Sequence, residues 1–355
     1  MPRGRGLRVW LGLGVSALFL GLLFAGVDRG ELWESLRDVD GRWLLAAAPV
    51  YAAALWLRAA RWRRILWPKL PLGARGTLAP MLIGYAANNV LPARAGEVLR
   101  ALILKRRHGT SRSAAIGTIV VERALDGLVL ALFLAGTVAL AGGSEALRWL
   151  AATGLGAFVL ATALLVLLSQ RPVWAGRLAL VLGRLAGLLP PRLRPAARAI
   201  ATGLLSGLTT LRGPRDWWAA GWLTAASWGL EAATYWLIGL AFGLALPAPL
   251  YLAIAGAANL AIAAPSTAGG IGPFEFFARE VAAFFGVSTV DATAYALGLH
   301  ALILVSVVIA GAALAWRLGL GITAIARSPV EETTATPGAA TGAGRGEGAE
   351  PPAAP

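Results

Sequence analysis

The fold is decided by the segment Gly84-Tyr-Ala-Ala-Asn-Asn-Val-Leu-Pro-Ala-Arg-Ala-Gly-Glu-Val-Leu-Arg100. This segment is polar and is broken by Pro92 and Gly96, so it cannot cross a bilayer as one helix, yet apolar runs flank it. Non-helical backbone is tolerated at membrane depth only where protein or a water-filled cavity satisfies its N–H and C=O groups. We therefore predict a re-entrant hairpin that lines a polar cavity enclosed by the other helices.

Composition places the chain among polytopic helical membrane proteins. It has 355 residues, of which 57% are hydrophobic and 14% charged, and its mean hydropathy is +0.68. Apolar runs of about 20 residues, the length that spans a bilayer, recur along most of it. The net charge of +14 comes from Lys and Arg in short loops beside these runs. That pattern is typical of loops facing an anionic leaflet, and we expect no nucleic-acid partner.

The residue types that are absent or rare narrow the chemistry. The chain has no cysteine, which excludes disulfides, thiolate metal sites and thiol nucleophiles. Its two histidines, His108 and His300, exclude a histidine-rich metal site. We therefore predict neither a metal nor a cofactor.

Six apolar runs predict complete membrane crossings, and basic residues orient them. The runs begin near Val9, Trp43, Ala114, Trp149, Trp217 and Tyr295. The inner end of the second run is marked by Arg58, Arg61, Arg63, Arg64 and Lys69. Arginines before the first run, and Arg317 and Arg327 after the last, predict that both termini are cytoplasmic.

The first broken segment has basic residues on both sides, with Arg75 before it and Lys105 to Arg107 after it. It should therefore enter and leave the membrane from the cytoplasm. A second broken element, Leu250 to Phe285, is interrupted over residues 263–275 and follows a span of opposite direction. Interrupted segments at corresponding places in inverted halves indicate the central site of a transporter. The predicted fold is an all-α integral membrane bundle with two inverted halves, each with a re-entrant broken hairpin.

Two further segments complete the predicted domain organisation. Residues 1–328 form the membrane domain, and residues 329–355, rich in Ala, Gly, Pro, Thr and Glu, form a disordered cytoplasmic tail. Within the first, about 171–215 is a cytoplasmic amphipathic segment, because Arg177 and Arg184 lie seven residues apart on one helical face. We predict helices lying on the anionic inner leaflet, with a docking surface for a partner as the alternative.

Glu122, Arg123 and Asp126 place three charges within about two turns of one apolar helix. Glu122 and Asp126 are four residues apart and share a face, and Arg123 can pair with Asp126. Each unpaired charge at the bilayer centre costs about 2.5–3.5 kcal/mol. These side chains must therefore face the protein interior.

The role of this charged helix stays open between two interpretations. In one, the charges clamp the helix to the first hairpin through Arg94, Glu97 or Arg100. In the other, Arg94, Arg100 and Arg123 bind a lipid phosphate through charge-assisted hydrogen bonds, and the carboxylates hold the arginines in place.

Three other ionisable residues lie in or beside apolar segments. Glu231 is near the middle of the fifth run, Glu275 follows the second break, and His300 lies within the last run. Burial raises the pKa of a carboxylic acid, so these residues are candidates for proton coupling. A neutral side chain that hydrogen-bonds a neighbouring helix is the alternative for each.

Three motifs carry a family resemblance. They are Asn89-Val-Leu-Pro-Ala-Arg-Ala-Gly-Glu97 with Arg100, then Glu122-Arg123 with Asp126, then Pro265-Ser-Thr-Ala-Gly-Gly-Ile-Gly272 with Glu275. Together they resemble the flippase-like family found as the transmembrane region of lysylphosphatidylglycerol synthases. The resemblance covers most of Trp43 to Trp316. It implies movement of charged-headgroup lipids between leaflets, and we expect a stand-alone module that lacks the aminoacyl-transferase domain and is not an enzyme.

The resemblance and the charges together predict the site and its use. The predicted substrate-binding residues are Asn89, Arg94, Glu97, Arg100, Glu122, Arg123, Asp126, Ser266, Gly270 and Glu275. We predict that the substrate is a phospholipid or polyprenyl-linked lipid, moved across the inner cell membrane by alternating access. Membrane lipids are the expected partners, with an envelope-lipid synthesis enzyme as a further candidate.

A competing match comes from another functional class. Gly109-Thr-Ser-Arg-Ser113 is similar to the phosphate-handling loop of undecaprenyl pyrophosphate phosphatases, although His108 and Ala114 replace the flanking Pro and Gly, and the paired-glutamate motif has no good counterpart. A simpler explanation is that Ser111 or Ser113 caps the following helix. A non-catalytic partner of an envelope-lipid synthesis enzyme is the third hypothesis.

Overall fold

A computed structural model describes residues 3–66, 73–91, 95–191, 193–262 and 268–320. Within these ranges the chain folds into α-helices and a short 3-10 turn, with no strand, which confirms the helical membrane class. The helices are α1 Arg3–Phe24, α2 Arg29–Arg37, α3 Gly41–Leu66, α4 Ala74–Val90, α5 Ala95–His108, α6 Arg112–Ala141, α7 Glu145–Gln170, α8 Pro172–Gly187, α9 Arg194–Leu208, α10 Pro214–Ala241, α11 Leu250–Ala261, α12 Pro273–Phe284 and α13 Thr289–Arg317. The predicted tail and the candidates Arg94 and Ser266 lie outside the described residues.

Four described helices, α3, α6, α7 and α13, are long and apolar enough to cross a membrane. A fifth span results if α1 is joined to α2, from which it is bent by 91°. Helix α10 has 28 residues but is not in this group, because its polar and aromatic side chains, including Glu231 and five tryptophans, lower its hydropathy. Six complete crossings therefore remain a prediction.

The acidic stretch after α1 forms helix α2. Asp28 caps this helix, because its side chain accepts hydrogen bonds from the backbone N–H groups of Gly30 and Glu31. Leu32 is buried and gives the helix an apolar anchor. The cap and this anchor explain why a charged stretch is helical here.

Helix α3 continues to Leu66, so the arginines near the end of the second run are helical. Arg58 and Arg61 are buried, whereas Arg63 and Arg64 are exposed. Of the residues predicted to mark the inner end of this run, Arg58 and Arg61 therefore face the protein interior. They lie three residues apart, so both point to the helix face that packs on α10 and α6.

Two pairs of short helices interrupt the sequence of long ones. The first helix pair is α4 with α5, and the second helix pair is α11 with α12; in each, the two helices pack against one another. At about 1.5 Å per residue, these helices of 17, 14, 12 and 12 residues are about 18–26 Å long. Each is shorter than the roughly 30 Å of hydrocarbon that a spanning helix must cross.

Close contact within the first helix pair depends on two glycines. A Cβ atom on Gly96 would overlap the carbonyl oxygen of Gly84, and a Cβ atom on Gly84 would overlap the Arg100 side chain. The backbones of α4 and α5 can therefore approach only because these positions have no side chain.

The segment between α7 and α10 contains two helices, α8 and α9. Gly207 of α9 lies against Gly117 of α6, where a Cβ atom on Gly207 would lie 2.8 Å from the Gly117 Cα. Arg177 and Arg184 of α8 are exposed, beside exposed apolar side chains such as Trp174 and Leu188. This segment is therefore attached to α6 on one side and exposes basic and apolar residues on the other.

Helices of residues 41–141 pack against helices of residues 214–317. Helix α3 lies along α10, α6 lies along α11, and α13 lies along α4. The largest apolar core is centred on α10, α11 and α13, with Tyr235, Tyr251 and Tyr295 fully enclosed. The charged residues of α3, α5 and α6 lie beside this core.

Candidate functional site

Helix α6 contributes Glu122, Arg123 and Asp126 to one buried cluster of charges. Glu122 and Asp126 are buried, and the Arg123 side chain is 39% exposed. The apolar residues of this helix drive it into the membrane, so its carboxylates need cations from neighbouring helices. Those cations come from α3 and α5.

Arg61 of α3 is the central cation and is fully buried. Its guanidinium forms an ion pair with Asp126, and its Nη2 atom lies 3.2 Å from Glu122 Oε1. Nη1 also donates a hydrogen bond to Thr224 Oγ1 of α10, at 3.1 Å. One arginine therefore connects three helices, which explains why it is tolerated within an apolar bundle.

Arg100 of α5 is held on two sides. Its two terminal nitrogens donate to the two oxygens of Glu122, at 3.3 and 2.9 Å. Its guanidinium carbon lies 4.0 Å from the centre of the Trp62 ring, a cation–π contact. Trp62 is fixed in turn, because its Nε1–H donates to Thr118 at 3.2 Å. Arg100 is therefore committed to protein partners in this conformation.

Arg58 of α3 extends the charges toward α10, where it forms an ion pair with Glu231. The Arg58 guanidinium carbon lies 4.1 Å from the Trp228 ring centre. Trp228 Nε1–H donates to Asp126 Oδ1 at 2.9 Å. Glu231 is therefore part of the same group of charges, and its carboxylate is held by a cation rather than isolated in an apolar span.

Arg123 lies at the accessible edge of the cluster. Its guanidinium nitrogens lie 3.4 Å from Glu122, 3.7 Å from Glu97 and 3.8 Å from Asp126, so no single carboxylate holds it closely. Tyr85 of α4 donates its hydroxyl to Glu122 at 3.2 Å and lies beside the Arg123 guanidinium. Of the described arginines here, Arg123 is the most exposed.

We call these charges the ionic cluster. Within the described residues it holds four guanidinium groups and four carboxylates, from Arg58, Arg61, Arg100, Arg123, Glu97, Glu122, Asp126 and Glu231. With all eight groups ionised their charges balance, which lowers the cost of holding them inside a bilayer. An anion that approached the cluster would be attracted most by Arg123, because this guanidinium is the most exposed of the four and its carboxylate partners lie at 3.4–3.8 Å.

The described end of the first break lies beside the second break. The Asn88 side chain accepts a hydrogen bond from the Gly96 backbone N–H at 2.8 Å and so joins the ends of α4 and α5. Asn89 is half-buried, and a Cβ atom on Gly269 would lie 3.7 Å from its carbonyl oxygen. The two breaks therefore meet, as a shared central site requires.

Glu275 organises the second break. Its Oε2 atom accepts the Gly272 backbone N–H at 2.7 Å, which caps α12, and its Oε1 atom lies 2.7 Å from His300 Nδ1. The Phe274 ring stacks on the His300 ring with 4.2 Å between their centres. Gly270 has a φ of +77°, which only glycine adopts readily, so this candidate residue shapes the backbone turn.

Aromatic contacts connect this second break with the ionic cluster. The Tyr235 hydroxyl lies 3.4 Å from Glu231 and accepts a hydrogen bond from the Asn259 side chain at 2.9 Å. The edge of the Tyr235 ring meets Phe274 with 6.2 Å between ring centres. Glu231, Glu275 and His300, the proton-coupling candidates, therefore lie along one continuous set of contacts.

Sequence analysis missed Arg58 and Arg61 as site residues. At the end of an apolar run, followed by Arg63 and Arg64, they have the appearance of an inner basic loop. Spacing does not separate them from the exposed pair, because Arg64 lies three residues after Arg61 just as Arg61 lies three residues after Arg58.

The serines of the competing phosphatase match lie at the start of α6. Ser111 precedes the first helical residue, but its side chain makes no capping hydrogen bond; its Oγ lies 3.0 Å from Ser113 Oγ. The expectation that a serine side chain caps this helix is therefore wrong for Ser111. The pair lies against α9, where a Cβ atom on Gly203 would overlap Ser113.

Comparison with known proteins places the chain in a family. The family described as "Lysylphosphatidylglycerol synthase TM region" matches residues 9–311. The chain belongs to this family. The match begins within α1 and ends within α13, so both helix pairs and the ionic cluster of this lysylphosphatidylglycerol synthase transmembrane-region protein lie inside it.

Two curated relatives share shorter parts of this family member. A protein of Haloferax volcanii named "Glycosyltransferase AglD" is 35% identical over 151 residues, covering 40% of this chain and 24% of the relative. A "UPF0104 membrane protein" of Methanothermobacter thermautotrophicus is 31% identical over 120 residues, covering 32% of this chain and 34% of the relative. The chain therefore spans about a quarter and a third of these relatives.

Proposed function

We propose that this protein moves lipids with charged, phosphate-containing headgroups between the leaflets of the inner cell membrane by alternating access. The observation that carries the proposal is the ionic cluster, in which buried, mutually paired charges present one half-exposed arginine, Arg123, facing Glu97 just after the first break. Arginine donors suit a phosphate group because they are permanently charged and can donate two parallel hydrogen bonds.

The packing supports two inverted halves, α3–α6 and α10–α13. Each half consists of a long helix, a short helix pair and a second long helix. In this correspondence α6 matches α13, and α4 matches α11. The contact between α6 and α11 therefore corresponds to the contact between α13 and α4, and the structure shows both contacts. Repeats that exchange conformations around a central site are the usual basis of alternating access.

In this proposal the helix pairs are re-entrant hairpins entering from opposite faces. The short helices support this, because none of the four is long enough to cross the hydrocarbon alone. Exposed basic residues at the end of α5, from Lys105 to Arg107, favour a cytoplasmic opening for the first hairpin. The second hairpin would then open on the other side.

We assign the inner leaflet to the side of α8 and α9. No acidic residue occurs between Glu145 and Asp216, a stretch that includes both helices and many arginines. With both termini on this same side, the segment 171–215 would lie against anionic headgroups, and residues 1–328 would form a single membrane domain. The tail, 329–355, would extend into the cytoplasm.

The proposed mechanism separates two roles within the ionic cluster. Arg61 and Arg100, fully buried and paired with carboxylates, hold the cluster together. Arg123, loosely paired and half-exposed, would exchange its contact with Glu97 for the headgroup phosphate. The acyl chains would stay in lipid while only the headgroup enters the protein, so the charge never crosses hydrocarbon unpaired.

The relatives broaden the substrate class. The Haloferax relative is named as a glycosyltransferase, which supports keeping lipid-linked sugars beside phospholipids among the candidates. The family description concerns a phosphatidylglycerol derivative. A phosphate next to a lipid chain is the group that the phospholipid and polyprenyl-linked candidates share.

The test is lipid movement in proteoliposomes with labelled phosphatidylglycerol, aminoacylated phosphatidylglycerol and polyprenyl phosphate. We expect at least one lipid to move faster than in empty vesicles. Arg123→Gln should slow it by about tenfold or more, because a hydrogen bond to a charged group contributes about 1.5–3 kcal/mol. The matched control is Arg63→Gln, which removes an exposed arginine from α3 and should leave the rate unchanged.

Three results would contradict the proposal. The first is lipid movement equal to that in empty vesicles for all three lipids, with and without a proton gradient. The second is phosphate release from undecaprenyl pyrophosphate that disappears in Ser111→Ala and Arg112→Ala, which would favour the phosphatase. An unaltered lipid distribution in Arg123→Gln and Glu275→Gln cells would favour a non-catalytic partner of a synthesis enzyme.

A further inference from the structure

The two halves contain corresponding pairs of polar residues. Glu97 is the third residue of α5, and Glu275 is the third residue of α12. Arg123 is the twelfth residue of α6, and His300 is the twelfth residue of α13. Glu97 faces Arg123, and Glu275 faces His300. In each half, the third residue of the helix that follows the break therefore contacts the twelfth residue of the next long helix.

The two pairs differ in accessibility and in distance. The Arg123 and Glu97 side chains are 39% and 28% exposed, and their nearest atoms lie 3.7 Å apart. The His300 and Glu275 side chains are 8% and 6% exposed, and their nearest atoms lie 2.7 Å apart. One pair is open and loosely associated, whereas the other is shut and hydrogen-bonded.

Helix α1 and an aromatic ring cover the shut pair. Phe274 stacks on His300, and the Ser16 hydroxyl of α1 donates to the Ile271 carbonyl at 2.7 Å. Arg279 of α12 donates to the carbonyl of Leu23 at the end of α1, and to that of Leu22. These bonds hold α12, which carries Glu275, against α1.

We propose that Glu275 and His300 form a second phosphate-binding pair, shut in this conformation and opened when Glu97 and Arg123 become buried. This inference rests on the proposed function and identifies where the headgroup phosphate is held on the other side of the membrane. His300 provides a cation only after it binds a proton, whereas Arg123 is always charged. Phosphate capture at the second pair therefore takes up a proton that capture at the first pair does not.

The charged groups around His300 are compatible with its imidazole gaining or losing a proton. Of the described charged groups on helices packed against α13, Glu275 is the one in contact with the imidazole. The remaining described charged and titratable groups on those helices are Arg29, Glu31, Glu34 and Arg37 of α2, Arg75 and Tyr85 of α4, Arg215, Asp216, Glu231 and Tyr235 of α10, and Arg279 and Glu280 of α12. Arg279 pairs with Glu280, and Glu231 pairs with Arg58, so these cations are already engaged by other carboxylates.

The first experiment measures the pH dependence of lipid movement in proteoliposomes. We expect the wild-type rate to be about tenfold higher at about pH 5 than at about pH 8, because phosphate capture at the second pair takes up a proton. His300→Arg should keep transport and lose the pH dependence, whereas His300→Gln should be slow at every pH. The proposal is overturned if His300→Arg is inactive while His300→Gln is active, or if the wild-type rate is independent of pH.

A second experiment does not need transport. Because the chain has no cysteine, His300→Cys and Arg123→Cys each carry one thiol, whose reaction with a water-soluble maleimide is measured in phosphatidylglycerol nanodiscs. We expect Arg279→Gln, which loosens α12 from α1, to speed labelling at 300 and slow it at 123, each by about threefold or more. Parallel changes, or none, would overturn the reciprocal opening.

Controls separate the sources of phosphate and the two proposals. Inorganic phosphate is added to test whether free phosphate changes the labelling rates at positions 300 and 123. If the bound group is a lipid headgroup, free phosphate should leave both rates unchanged. If no wild-type lipid movement occurs at any pH while labelling at 300 and 123 still changes reciprocally, the proposed function fails and the paired opening stands. If movement is normal but labelling is not reciprocal, only this inference fails.

Discussion

The first helix pair is held to α6 by ion pairs, whereas the second meets α13 through a stacked aromatic ring and one carboxylate–imidazole hydrogen bond. At the first, Arg100 and Arg61 pair with Glu122 inside a protein region without exposed surface. At the second, Glu275 caps α12 and meets His300 beneath Phe274. The contact of α5 with α6 therefore depends on arginine, which is always charged, and the contact of α12 with α13 involves histidine, whose charge changes when it binds a proton.

The difference indicates which half is constrained. A buried ion network is stable only while every charge has its partner, because an uncompensated charge in a low dielectric is costly. A Glu–His pair has more freedom, since one proton changes its net charge. We therefore expect substitutions around the first helix pair to cost more stability, and those around the second to alter function before stability.

The largest expected effect is that of Arg61→Met. This substitution leaves Asp126 and Glu122 without their shared cation, and breaking a buried pair from one side costs about 3–5 kcal/mol. The free energy of unfolding, measured by dodecyl sulfate titration in mixed micelles, should fall by that amount. The matched control is Arg64→Met on the same helix, whose pair with Asp216 is half-exposed and should cost no more than about 1 kcal/mol. Equal losses would show that the ionic cluster does not hold the first half together.

The next largest effect is expected from Gly96→Ala. The new methyl group would overlap the Gly84 carbonyl, and forcing α4 and α5 apart should cost about 1–3 kcal/mol. It should also move Arg100 away from Glu122, which the same titration and a slower rate of lipid movement would reveal. Gly136→Ala of α6 is the control, because a Cβ atom there meets nothing within 4 Å. A Gly96→Ala variant as stable as this control would contradict the close packing of the first helix pair.

Sequence alone indicated the two breaks and the charged face of α6, for a simple physical reason. Charges such as Glu122 and Asp126 in a long apolar run can only face the interior, and polar or glycine-rich interruptions cannot cross lipid unaided. The partners of these charges were harder to identify. Arg61 lies 65 residues before Asp126, and the contact depends on how α3 packs against α6, which no local pattern encodes.

The correspondence between the two polar pairs also required three dimensions. The sequence separation between Glu97 and Arg123 nearly equals that between Glu275 and His300. The sequence gives no reason to match the two pairs, however, because one contains arginine and the other histidine. Only the contacts after helix packing show that both occupy one structural position. Family resemblance added the motifs and their order, without their geometry.

A smaller effect is expected from Phe274→Leu in the second half. The variant keeps an apolar side chain but loses the stack on His300 and the edge contact with Tyr235, which together should cost up to about 1.5 kcal/mol. Because the ring covers the Glu275–His300 pair, labelling of His300→Cys should become faster at the same time. Phe284→Leu, at an exposed position on the same helix, is the control. A loss of stability without faster labelling would mean that Phe274 packs the core but does not cover the pair.

The smallest effect is expected from Asn88→Ala, and it tests how the two breaks differ in their caps. The Asn88 amide, from the preceding helix, accepts the Gly96 backbone N–H, whereas Glu275 caps the start of its own helix. Removing a neutral hydrogen bond should cost about 1 kcal/mol. Since the cap joins α4 to α5, the loss should appear as faster amide hydrogen exchange at Gly96 and Glu97, with exchange in α12 unchanged. Faster exchange in both helices would show that the two breaks open together, which would contradict their reciprocal opening.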